Sequence, residues 1–167
     1  AQGEVSLTDV IAGAVGEGVP VVGVPVEETN EVLGINDRVQ LAAAERVLQR
    51  RYALEVMAQG ATLADPGRFD LRGKLTVGRD VFIDVGAVFT GDVVLGDRVR
   101  IGSNSAVSDS SLGEDCLVHE HCVIDGVIAG ASCEIGPFAR LRPGTEFQAR
   151  GKAGTFGGVK ARNGAPG

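Results

Sequence analysis

From Val77 onward the chain places a large or branched apolar residue every six positions: Val77, Ile83, Phe89, Leu95, Ile101 and Val107. The phase slips by one to Leu112, Val118 and Ile124, and by one again to Ala129, Ile135, Leu141 and Phe147. A helix repeats at about 3.6 residues and a strand at about 2, so neither keeps a six-residue phase over this length. Four positions after each anchor the residue is small or modest: Val81, Ala87, Val93, Val99, Ser105, Ser111, Cys116, Cys122, Ile128, Cys133, Ala139, Thr145 and Gly151. A hexapeptide makes one short strand and a turn, and three such sides close a triangular coil. The large anchor fills the coil, and the small residue sits where a corner leaves little room. This pattern predicts a parallel β-helix. Thirteen hexapeptides give a little over four coils, roughly 20 Å tall at the strand spacing. The five-residue steps, 107 to 112 and 124 to 129, predict tighter or irregular corners. An alternating β-sandwich would not hold the phase.

Glycine follows the anchor at Gly78, Gly96, Gly102, Gly113, Gly130 and Gly136, where it is expected to supply turn dihedrals that other residues reach only with strain. This use takes six of the 25 glycines in 167 residues. They show no three-residue period, which excludes collagen. The apolar fraction of 44% excludes a disordered chain. All three cysteines, Cys116, Cys122 and Cys133, stand at small interior positions. They read as small buried hydrophobes in a reducing, cytoplasmic compartment. A net charge of −6 argues against a nucleic-acid partner. No apolar run is long enough for a membrane span. The opening AQGEVSLTDV shows no signal peptide. The chain does not begin with Met and reads as a piece of a longer protein.

Upstream of residue 70 the periodicity changes. Leu7 to Val15 predicts a helix capped by Ser6 or Thr8, with Leu7, Val10, Ile11, Ala14 and Val15 on one face. Val19 to Val26 is a continuous apolar run that predicts a buried strand. After the polar loop EETNEVLGIND, a long helix is expected over Asp37 to Met57. Its inner face is expected at Leu41, Ala44, Leu48 and Tyr52, with Arg46, Gln49 and Arg50 outward. Gly60 is the expected stop, and Pro66 and Gly67 break the chain before the repeat. Residues 1 to 36 read as the end of an α/β domain.

Several segments together resemble one family. They are GINDR at Gly34 to Arg38, DPGRFDLRG at Asp65 to Gly73, the hexapeptides, and IGPFARLRPG at Ile135 to Gly144. In that order they resemble the bifunctional bacterial N-acetylglucosamine-1-phosphate uridyltransferase / glucosamine-1-phosphate acetyltransferase. The resemblance implies a mainly β fold. Residues 1–36 would be the C-terminal remnant of the uridyltransferase domain, 37–70 a linker helix and connector, and 71–167 a truncated left-handed β-helix acetyltransferase domain that trimerises. It implies synthesis of UDP-N-acetylglucosamine for peptidoglycan and lipopolysaccharide, with Mg²⁺, acetyl-CoA and UTP. By the same resemblance Asn36 is a Mg²⁺ ligand, a role suited to a hard amide oxygen; as plain sequence it reads as a helix cap. Thr8 matches a residue near the sugar phosphate, although Ser6 replaces the family's neighbouring Tyr. Arg142 and Lys160 match cations that bind the sugar phosphate. The tail GTFGGVKARNGAPG departs from the family around Lys160, with two glycines in place of a Val-Glu pair. The family's catalytic His is expected beyond residue 167, so neither active site is expected to be complete. Two other readings compete. The chain could be a non-catalytic trimerisation module, or a metal-dependent prism enzyme using His119 and His121, the H-E-H pair.

Overall fold

The computed structural model describes residues 6–25 and 34–154. The chain divides into two compact units, Ala1–Ile35 and Asn36–Gly167.

In the first unit, α1 spans Leu7–Gly16. Ser6 is its N-cap: the Ser6 hydroxyl accepts from the Asp9 N–H, and the Asp9 side chain accepts from the Ser6 N–H. This reciprocal box satisfies two amides that the helix leaves unpaired. The expected apolar face forms but is not covered, since no α1 residue is buried. The expected strand over Val19 to Val26 does not form. Residues 19–25 have no regular structure, and Val22 and Val24 are more than four-fifths exposed; Val26 lies outside the described residues. A strand needs a neighbour to take its N–H and C=O groups, and none of the described residues provides one.

The second unit opens with α2, Arg38–Ala58. Asp37, rather than Asn36, is the N-cap: its carboxylate accepts from the Gln40 N–H at 2.7 Å. Gly60 ends the helix as expected, with φ +115°. The inner face is rotated from the expected one. Gln49, Ala53 and Val56 are buried, while Leu41 and Leu48 are exposed.

Beyond α2 the chain winds as a solenoid of about five turns. One side is a six-stranded parallel ladder. It is formed by β1 (Ala61–Leu63), β3 (Val81–Ile83), β5 (Arg100–Ile101), β8 (Leu117–Val118), β11 (Glu134–Ile135) and β14 (Lys152–Ala153). The other two sides share the long strands β2 (Asp70–Val77) and β4 (Val88–Leu95), which run round a corner without a break. Below them lie β6 (Ala106–Ser108), β9 (Val123–Asp125) and β12 (Arg140–Leu141) on one side. On the other lie β7 (Ser111–Leu112), β10 (Ile128–Ala129) and β13 (Glu146–Phe147). Strand β1 already pairs with β3, so Pro66–Arg68, a short 3₁₀ turn, lies inside the first coil.

All thirteen anchors from Val77 to Phe147 are buried in one continuous core. The small interior position needs one correction. Ser111 and Ile128 face outward, and Ser110 and Val127 take their places inside. Where a step has five residues, the missing residue precedes the small one, so the interior slot is fixed two residues before the next anchor. Ser110 fits because its hydroxyl donates to the Ser108 carbonyl at 2.6 Å and accepts from the Val127 N–H at 3.0 Å.

The glycines after the anchors also have a different cause from the expected one. Of the six, only Gly136 has a positive φ. The others stand where the next coil passes too close for a side chain. A Cβ on Gly102 would lie 2.5 Å from the His119 carbonyl carbon, and one on Gly113 would lie 2.7 Å from that of Gly130. The left-handed corner positions are held instead by polar residues such as Asp80, Arg98, Asp115, Ser132 and Arg150.

Candidate functional site

The joint between α2 and the first coil is the most specific polar construction in the second unit. Strand β2 is the outermost of its ladder, with β4 on one edge only. At its free edge the Leu71 N–H donates to Gln49 Oε1 at 2.7 Å, and Gln49 Nε2 donates to the Leu71 carbonyl at 2.8 Å. The Gln49 amide thus stands in for a peptide group of a neighbouring strand. Its second N–H goes to Glu45 Oε1 at 2.9 Å. Arg46, one turn earlier on the helix, pairs with Asp70. Arg46, Gln49, Arg50, Pro66 and Gly67 surround a shallow pocket beside this joint. Sequence reasoning placed Gln49 outward because it is polar. The available signal was its place on the same helical stripe as Ala53 and Val56.

The expected site residues fall in both units of the chain. Thr8 lies exposed in the first turn of α1, in the first unit. Asn36 lies exposed at the start of the second unit, where its backbone N–H donates to Gln40 Oε1 at 2.6 Å. The Asn36 side-chain oxygen suits a hard cation. The described residues hold no group of three or more His, Cys, Asp or Glu side chains able to bind a metal. Arg142 is exposed and directly follows β12. Its carbonyl accepts from the Thr145 hydroxyl at 2.6 Å and from the Thr145 N–H at 3.2 Å. The Arg-Pro-Gly-Thr turn therefore fixes the backbone from which the guanidinium projects, and Arg140 projects from the same strand. Lys160 lies outside the described residues.

The two histidines are committed to separate contacts. His119 Nε2 lies 3.0 Å from Glu134 Oε1. The His121 ring stacks on Phe138, with centroids 5.0 Å apart and planes 8° from parallel. Lys152 Nζ binds the other Glu134 oxygen at 2.8 Å. Lys152 first and His119 second hold the Glu134 carboxyl below its ordinary range. Glu134 was not singled out by sequence, although its register partner Lys152 follows at one coil's spacing. The cysteine thiols are buried and free. Cys116 donates to the Gly130 carbonyl at 3.0 Å, and burial pushes its thiol up to about 11. That excludes a thiolate nucleophile near neutral pH.

Comparison with known proteins falls along the same elements. The family model described as the GMPPB C-terminal domain matches residues 71–150. The "Bifunctional protein GlmU" of Alkalilimnicola ehrlichii is 53% identical over 167 residues, covering 100% of this chain and 36% of that protein. The protein of the same name from Marinobacter nauticus is 49% identical over 93% of this chain and 34% of its own length. The one from Acinetobacter baumannii (strain ACICU) is 46% identical over 96% of this chain and 35% of its own length. The chain therefore spans about a third of the length of the curated relatives it matches. With this identity running through α2, the first coil and the whole described solenoid, the chain belongs to the bifunctional GlmU family.

Proposed function

We propose that the chain is part of a bifunctional transferase that acetylates glucosamine-1-phosphate with acetyl-CoA and then transfers UMP from UTP to give UDP-N-acetylglucosamine. The observation that carries this reading is the order of motifs on the fold. GINDR leads into α2 at its cap, DPGRFDLRG forms the first coil against that helix, and IGPFARLRPG runs through a corner into β12. Residues 1–36 are then the end of the uridyltransferase domain, 37–70 the linker helix and connector, and 71–167 part of the acetyltransferase β-helix. The product serves peptidoglycan and lipopolysaccharide synthesis, and the whole protein works as a cytoplasmic homotrimer.

In this reading Asn36 offers one oxygen to Mg²⁺, and the remaining ligands come from outside the described residues. The ion, when bound, would offset charge on the nucleotide phosphates. Thr8 lies near the sugar phosphate of the same reaction. In the acetyl-transfer half, Arg142 directs its N–H groups at the phosphate of glucosamine-1-phosphate, a bidentate match that a point charge does not give, with Lys160 as the second cation. Binding the phosphate there orients the amine for acetylation.

The test is a chimera in which residues 1–167 replace the matching segment of the Alkalilimnicola ehrlichii protein, assayed for both transfers. Both activities are expected. Asn36→Ala should lower uridyl transfer at least tenfold and leave acetyl transfer unchanged. Arg142→Ala should raise KM for glucosamine-1-phosphate at least tenfold and leave uridyl transfer unchanged. A folded chimera with neither activity would overturn the proposal and leave a structural β-helix module as the function.

A further inference from the structure

The contact between Gln49 and Leu71 shows that the outer edge of β2 takes a partner, and it occupies only part of that edge. The Asp70 N–H points to the next coil, bonding the Ala87 carbonyl, and so does the Gly78 N–H, bonding the Leu95 carbonyl. Leu71 points the opposite way, to Gln49. Alternation along a strand therefore turns the N–H and C=O groups of Gly73, Leu75 and Val77 outward. None of them bonds a described residue on that side. A groove runs alongside, between Tyr52, Glu55, Val56 and Gln59 of α2 and Leu71 and residues 73–76 of β2. An open edge of this length is a template for an added strand.

Charge selects what can be added. Residues 38–79, which build α2 and the first coil, carry eight bases against four acids. Residues 80–154 carry six bases against eleven acids. The helix-capped end of the solenoid is thus basic on an acidic body. Arg72 and Lys74 on β2 are exposed, with no ion pair to a described residue. Glu55 is the one acid in the groove lining.

We propose that the outer edge of β2 at Gly73 to Val77 is a docking site for an extended acidic peptide, which adds as a further strand beside α2. Backbone pairing with Gly73, Leu75 and Val77 would hold the strand, and carboxylates on its exposed side would meet Arg72 and Lys74. In strand addition the main chain gives affinity and alternate side chains give selectivity.

The experiment is an NMR titration of the 167-residue chain with a blocked heptapeptide of alternating Glu and Val. It includes amide exchange and three controls: the same peptide with Lys for Glu, the acidic peptide N-methylated at alternate backbone nitrogens, and the Lys74→Glu chain. The acidic peptide is expected to bind and to slow exchange of the Gly73, Leu75 and Val77 amides at least tenfold. The lysine peptide and the methylated peptide should each bind at least tenfold more weakly, and Lys74→Glu should reverse the preference between the acidic and lysine peptides. No binding of the acidic peptide, binding that leaves those amides unprotected, or equal binding of the methylated peptide overturns the proposal.

Discussion

Gln49 is the residue on which the start of the solenoid depends. Its amide satisfies a donor and an acceptor of Leu71, which is buried. Truncation would leave both backbone groups buried and unpaired, each at about 1–3 kcal/mol. Gln49→Ala is therefore expected to cost about 2–4 kcal/mol, read as a fall in the urea midpoint at constant m-value. Gln49→Leu should do no better, because the edge needs an amide and not more apolar area. The cysteines behave in the opposite way. Burial raises the Cys116 and Cys122 thiols, and all three side chains fill interior slots. A thiol reagent at neutral pH should find none of them in the native chain and all three in denaturant.

At the level of elements, stacked coils set the rules. Gly102 lies under the His119–Glu120 peptide, and an added methyl would strike backbone rather than a movable side chain. Gly102→Ala should destabilise by about 1–3 kcal/mol, the usual cost of overpacking. Gly154→Ala, where no described residue lies within 4 Å, should be close to neutral in the same denaturation assay. The polar corners carry an ion ladder: Arg79 with Asp97 at 3.1 Å, and Arg98 with Asp115 at 2.7 Å and Glu114 at 3.1 Å. Backbone and side-chain hydrogen bonds from Arg79 hold Asp97 below the ordinary 3.8, and side-chain hydrogen bonds from the Arg98 guanidinium do the same for Asp115. A carboxyl lowered in the folded state stabilises above its unfolded value, and that contribution is lost as pH falls through the folded one. Acid titration of stability should therefore show a decline beginning below about pH 4, with a shallower slope in Asp115→Asn. The pairs are exposed, so high salt should also flatten the decline.

For the whole molecule, the two units differ in how much they bury. The second unit carries a continuous core from Ala53 of α2 to Ala153 of β14, whereas α1 buries no residue. Amide exchange should be slow at β5, β8 and β11 and faster by orders of magnitude in α1, since local opening is cheap where little apolar contact is lost. Equal protection in the two units would contradict this reading. Much of the solenoid was legible in advance. Every anchor named from the six-residue phase is interior, because a coil's cross-section is set by residues close in sequence. The candidate site was less legible. Thr8, Asn36 and Arg142 came from motif likeness, and no hydrogen bond or ion pair between described residues joins Asn36 to Arg142 within the second unit. A binding constellation depends on contacts between distant segments, which a local pattern does not encode.

The sequence by itself determined the period, the large interior anchors and the length of α2, since each follows from a repeat or cap contained within a few neighbouring positions. The tertiary structure decided the rest. It turned Gln49 inward, because a strand edge twenty-two residues away needed an amide. It made the glycines of the repeat spacers between coils, because the next turn of chain passes within 3 Å of where a Cβ would stand. It left Val19 to Val24 uncovered, because an apolar run becomes a strand only when another segment arrives to pair with it.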